Sequence, residues 1–83
     1  MPKQFNINIM TPDETKYEGS AVSLIAPSEL GYLGVLADHA PLVANLSRGT
    51  ITLREESGKT TIFSSTSGFL EVLKNTVTIL LDK

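Results

Sequence analysis

The chain contains no cysteine. That absence removes disulfide staples, thiol nucleophiles and thiolate metal sites together. It fits a reducing compartment, although many exported proteins also lack cysteine. Long apolar runs are missing too: none approaches the roughly 18 residues needed to span a bilayer. The opening stretch, MPKQFNINIM, has no signal-peptide core, because charged and polar residues interrupt it within a few positions. Charge of one sign is also lacking. The net charge is -2, and the seven basic residues are scattered from Lys3 to Lys83. A nucleic-acid footprint needs clustered Lys and Arg, so nucleic acid is not an expected partner. Aromatics are few: Phe5, Tyr17, Tyr32, Phe63 and Phe69. They stand apart from the basic residues, whereas a sheet that binds single strands interleaves the two. Phe5 and Phe69 are expected in the core. No segment offers a helical period over ten or more residues, and there is no linker, low-complexity tract or internal repeat.

What is present fits one domain spanning residues 1–83. Hydrophobic residues make up 41% and charged residues 19%, which is ordinary for a globular chain. Size scaling gives a folded surface of about 4,900 Å², with about 60% of the unfolded surface buried. That suffices for a core and leaves little material for a deep pocket.

The dominant period is two. Phe5, Asn6, Ile7, Asn8 and Ile9 alternate as on a half-buried strand. Thr11-Pro12-Asp13-Glu14 reads as a turn, because Pro12 fixes φ and Asp13 can bond its own backbone. Thr15 to Glu18 forms a short strand that ends at Gly19, a turn or bulge position. Val22, Leu24 and Ala26 share a face of the next strand, which Pro27 stops. Gly31 to Gly34 reads as a loop leading into a short strand at Leu33 to Leu36. Pro41 to Leu46 is another strand, closed by Ser47-Arg48-Gly49. Thr50 to Glu56 alternates, with Ile51 and Leu53 inward. Ser57-Gly58 marks a hairpin, and Thr60 to Ser65 returns with Ile62 on the inner face. Gly68 to Leu73 and Val77 to Leu81 pair around a tight turn at Lys74-Asn75. The fold class is therefore all-β: about eight to ten short strands at spacings of about eight to twelve residues, the pattern of a flattened sandwich or barrel.

Catalytic chemistry finds little to stand on. The single histidine, His39, follows Asp38. Adjacent residues on an extended chain point to opposite faces, so Asp38 is poorly placed to orient the ring. The plainer expectation is a histidine that satisfies loop backbone groups or sits in an interface. The serines lie outside any G-x-S-x-G elbow. Glu55-Glu56 and Asp13-Glu14 fall in expected turns, where solvated charge is usual. One histidine with scattered acids makes no specific metal site. Gly31-x-x-Gly34 matches neither phosphate-binding glycine pattern. No catalytic residue, metal ligand or cofactor is expected. What remains is surface. Tyr32, Leu33, Val35 and Leu36 cannot all face one core if the segment alternates. Either an aromatic and a leucine are exposed for a protein contact, or the loop folds back over a barrel end.

At this segment the sequence resembles a known family. Ile25-Ala26-Pro27, followed by Gly31-Tyr-Leu-Gly-Val-Leu-Ala-Asp-His-Ala-Pro-Leu-Val-Ala-Asn-Leu46, is similar to the epsilon subunit of F-type ATP synthases. The centre of the match is L-G-V-L-x-x-H-A-P-L at Leu33 to Leu42. Ser67 to Leu73 with Asn75 to Ile79 resembles the same domain's closing hairpin, and Lys16-Tyr-Glu-Gly19 also fits. The resemblance implies a flattened β-sandwich that catalyses nothing itself. Its partners would be the gamma subunit and the polar loops of the membrane c-ring, with no transmembrane segment of its own. It implies a place in the central stalk, peripheral to the energy-coupling membrane on its cytoplasmic (or matrix or stromal) side. Gamma, epsilon and ring turn together there, so ion flow drives ATP synthesis. Carried over by position, Glu29, Leu30, Gly31, Tyr32 and Leu33 form a ring-facing loop, with Glu29 and Tyr32 foremost. His39, Ala40, Pro41 and Leu42 form the block at or near gamma. Many relatives carry Pro-Gly or Pro-Asn before the histidine, where this chain has Ala37-Asp38. The sequence stops at Leu81-Asp82-Lys83, about where the family's C-terminal helical hairpin would begin. Neither inhibition by a helical arm nor an ATP site is therefore expected. Two other readings compete: a generic β-sandwich adaptor, and a small enzyme or sugar-binding module using Glu55, Glu56 or His39.

Overall fold

The alternation in Phe5–Met10 becomes strand β1, with Phe5, Ile7 and Ile9 buried on one face. In the computed structural model, which describes residues 3–83, eight further strands follow. They are β2 (Thr15–Ala21), β3 (Ser23–Ser28), β4 (Gly31–Leu36), β5 (Leu42–Leu46), β6 (Gly49–Arg54), β7 (Thr60–Ser65), β8 (Gly68–Leu73) and β9 (Thr76–Leu81). No helix occurs among the described residues. The first residues of the stretch read for a leader, Met1 and Pro2, lie outside them.

The strand order is β2-β1-β9-β8-β5-β3-β6-β7, with β4 on the other edge of β3. Pairing is antiparallel except between β1 and β9, so the first strand lies parallel to the last. A single bridge, Ser28 to Leu46, joins β3 to β5. It divides the path into a first sheet, β2-β1-β9-β8-β5, and a second, β4-β3-β6-β7. Their inner faces share one core. Ile7, Ile9, Leu70, Val72, Val77 and Ile79 come from the first sheet, and Leu24, Val35, Ile51 and Leu53 from the second. The extents are 34 × 23 × 19 Å, one long axis and two shorter, similar ones. The accessible surface, 5032 Å², is close to the size-scaling value. The one buried polar residue among those described, Ser65, is satisfied: its Oγ donates to the Ser47 carbonyl at 2.8 Å.

Two turns follow the sequence closely. Lys74 (φ 49°) and Asn75 (φ 60°) both sit in the left-handed region, the type I′ geometry that matches strand twist. At the first turn the Thr11 N–H donates to the Glu14 carbonyl at 2.8 Å. Gly68 is required by its surroundings. Its φ is 152°, and a Cβ there would collide with the Leu80 carbonyl oxygen.

Several expectations are corrected. Strand β2 does not end at Gly19 but runs to Ala21, because Gly19 stays in register opposite Ile7. The missing side chain makes room for the Tyr17 ring, whose Oη would lie 3.2 Å from a Cβ. Pro27 does not stop β3. It sits where β3 leaves β6, last paired at Ile25, and reaches β5 at Ser28, so no ladder donor is lost there. Gly31 to Leu33 is not loop. The β3–β4 hairpin turns on Glu29 and Leu30 alone, and Gly31 already pairs with Ser28. Ile62 points outward, 65% exposed, because β7 pairs Phe63 with the buried Ile51. Residues directly opposite on antiparallel strands share a face. Phe69 is likewise outside the core, 41% exposed, while its neighbour Leu70 is buried.

Candidate partner-binding surface

The β3–β4 hairpin projects Leu30 at its tip, 101% exposed. Glu29 beside it is held back: its Oε1 accepts from Asn45 Nδ2 at 3.2 Å, and its backbone N–H donates to the Asn45 carbonyl at 3.2 Å. Tyr32, 63% exposed, lies across the outside of the second sheet. Its hydroxyl accepts the Thr50 N–H at 3.3 Å. A Cβ at Gly49 would come within 2.7 Å of that oxygen and 2.8 Å of Pro27, so glycine at position 49 admits the ring. Leu33 and Val35 turn inward, and Tyr32 and Leu36 outward, as alternation demands.

His39 follows Asp38, whose φ of 62° makes the turn between β4 and β5 left-handed. The Asp38 carboxylate pairs with Lys3 at 3.1 Å, and the His39 Nδ1–H donates to the Ala40 carbonyl at 2.7 Å. The histidine and the aspartate therefore engage different partners, and no base-and-orienter pair forms. Glu55 and Glu56 stand at the β6–β7 connection. Among the described residues, no three His, Asp or Glu side chains are grouped to hold a metal.

The ring-facing segment and the histidine block meet at one place. Glu29, Leu30, Gly31, Tyr32, Leu33, His39 and Leu42 all line an open groove of about 540 Å³ between the β3–β4 hairpin and β5. Val43, Ala44 and Asn45 complete its far wall. Ala40 and Pro41, both exposed, stand outside it. The lining is largely apolar, and its walls are strands already fixed in sheets.

Of the further exposed apolar residues, Leu36 belongs to the segment singled out from sequence, Phe69 and Ile62 were expected inside, and Ile25, Val43 and Leu73 were not singled out. Val43, Phe69 and Leu73 lie on the outer face of the first sheet, and Ile25, Leu36 and Ile62 on that of the second. The signal was in neighbouring apolar pairs: Leu24-Ile25, Leu42-Val43, Ile62-Phe63 and Phe69-Leu70. On a strand one member of each pair must leave the core.

The sandwich presents an exposed hairpin tip, an apolar groove and two part-apolar outer faces, the surface features of a protein contact. The chain belongs to the ATP synthase delta/epsilon chain β-sandwich domain family, whose sequence profile matches residues 4–83. An ATP synthase epsilon chain of Exiguobacterium sp. is 43% identical over 75 residues, covering 90% of this chain and 55% of that protein. The epsilon chain of Dichelobacter nodosus is 35% identical over 83 residues, covering 100% and 58%. The chain thus spans somewhat more than half the length of these relatives. Among solved structures, a chain of the Euglena gracilis mitochondrial ATP synthase OSCP/F1/c-ring assembly superposes with a TM-score of 0.92 at 25% identity. It covers 100% of this chain and 53% of that one. A Tetrahymena thermophila mitochondrial ATP synthase central stalk/c-ring chain shares the fold, with a TM-score of 0.80 at 18% identity over 99% and 66%.

Proposed function

We propose that this chain is a non-catalytic rotor subunit of an F-type ATP synthase. It links the gamma subunit to the polar loops of the c-ring, so that ion-driven rotation is coupled to ATP synthesis. The reading places it peripheral to the energy-coupling membrane, on the cytoplasmic (or matrix or stromal) side. The observation that carries it is the family match over residues 4–83, on a chain whose hairpin tip and histidine block line one groove.

The physics suits the role. A torque-bearing coupling must not deform, and close-packed sheets transmit strain with little compliance. Contact with a ring of repeating loops needs a projecting feature, which the fully exposed Leu30 at a two-residue turn supplies. Binding to gamma needs an apolar area with a polar rim. The groove and the adjoining outer face of the first sheet, with Val43 and Phe69, offer both.

Titration of the chain with purified cognate gamma subunit, by calorimetry or co-elution, tests the reading. Saturable one-to-one binding is expected. No binding to a correctly matched gamma would withdraw the function and leave only the fold.

A further inference from the structure

Two segments distant in sequence, one at Gln4–Asn6 and one at Asp38, converge on Asn75. Its Oδ1 accepts the Asp38 N–H at 2.8 Å, and its Nδ2 donates to the Gln4 carbonyl at 2.8 Å. The Asn75 carbonyl also accepts the Asn6 N–H at 3.1 Å. A backbone N–H only donates and a carbonyl only accepts, so chemistry fixes which end of the amide faces which partner. One residue of the β8–β9 turn therefore ties the start of β1 to the connection between β4 and β5.

We propose that Asn75 is a positioning residue that sets the direction of the His39–Leu42 block. The role of that block rests on the rotor reading above; its positioning does not. Asp38 stands immediately before His39 with φ at 62°, a left-handed conformation that aspartate accepts more readily than most residues but that still has to be selected over the extended one. The bond from the Asp38 N–H to Asn75 favours it. The Lys3–Asp38 ion pair is a poor substitute, since both side chains are mostly exposed. Asparagine is suited to the task on two counts. It tolerates the left-handed φ of 60° found at position 75, and it carries a donor and an acceptor on one short side chain. Glycine has the first property without the second, and aspartate keeps the acceptor but loses the donor.

These differences define the test, run on the whole chain. Asn75→Gly keeps the turn geometry, so the fold is retained, but both side-chain bonds are lost. We expect exchange of the Asp38 amide to accelerate about tenfold, and gamma binding to weaken about tenfold, the size of one lost hydrogen bond. Asn75→Asp restores an acceptor and should return the Asp38 amide to slow exchange. Lys74→Gly loosens the same turn but leaves both Asn75 bonds, so neither readout should move. The NMR signals of the His39 ring should shift with Asn75→Gly and not with Lys74→Gly. Unchanged Asp38 exchange in Asn75→Gly would overturn the proposal. So would full gamma affinity alongside accelerated exchange, or equal effects from Lys74→Gly. A wild-type chain that does not bind gamma would count against the rotor reading alone. The exchange and His39 signals would still decide the role of Asn75.

Discussion

Tyr17 shows how one side chain joins the open margins of the two sheets. It projects from β2, and its ring meets Phe63 of β7 edge-on, with centroids 6.0 Å apart and planes at 72°. Partial burial pushes its phenol above the ordinary value of 10.0, and the nearby Glu55 carboxylate raises it further. The sign of the pH effect follows. Between 10.0 and the native value, the unfolded tyrosine has lost its proton while the folded one keeps it. The native state then binds more protons, so stability falls as pH rises through this window and is fully present below it. Tyrosinate absorbance should show a phenol titrating above 10.0 in the folded protein. Glu55→Gln should lower that value in part only, because burial is the larger cause. A Tyr17 that titrates at or below the ordinary value would contradict the packing described.

At the scale of the element, sequence alternation located strands well and faces less well. Phe5 to Ile9, the Ile51 and Leu53 pair, and the Lys74-Asn75 turn were all legible, because each has an unambiguous local pattern. Gly19, Pro27 and Gly31 misled as punctuation, because tertiary context decided them. One makes room for a ring, one sits at a change of strand partner, and one closes a two-residue turn. Ile62-Phe63 and Phe69-Leu70 were undecidable locally, since a period of two cannot say which of two apolar neighbours faces in. Register decided them, through Phe63 opposite Ile51 and Phe69 opposite Asn45. Substitutions can check the assignment on β7. Ile62→Thr, at an outward position, should change unfolding free energy by less than about 0.5 kcal/mol. Phe63→Ala, which empties space against the core, should cost about 3 kcal/mol. Denaturant titration of the two variants measures both, and a reversed order would restore Ile62 to the inner face.

At the scale of the whole molecule, the candidate site depends on contacts that no local pattern encodes. Resemblance named the hairpin and the histidine block separately. That they line one groove depends on where the β3–β4 hairpin and β5 come to lie, with Ser28 bridged to Leu46. Among the described residues the same bridge is the only ladder contact between the two sheets, yet they are not independent units. Neither has a second apolar layer of its own, and each buries its inner face only against the other. Unfolding should therefore be one cooperative event, as is usual for a domain of this size. Ile79→Val trims the core from β9 in the first sheet, and Ile51→Val from β6 in the second. Each should cost about 1 kcal/mol. If the core is shared, either substitution lowers the protection of the slowest-exchanging amides in β6 and β9 by the same amount. The denaturant slope should stay unchanged. If Ile79→Val loosened β9 and left β6 at wild-type protection, the sheets would be separate cooperative units. A domain built that way would yield at the Ser28–Leu46 bridge under torque, and the stiffness that the proposed rotor role requires would be lost.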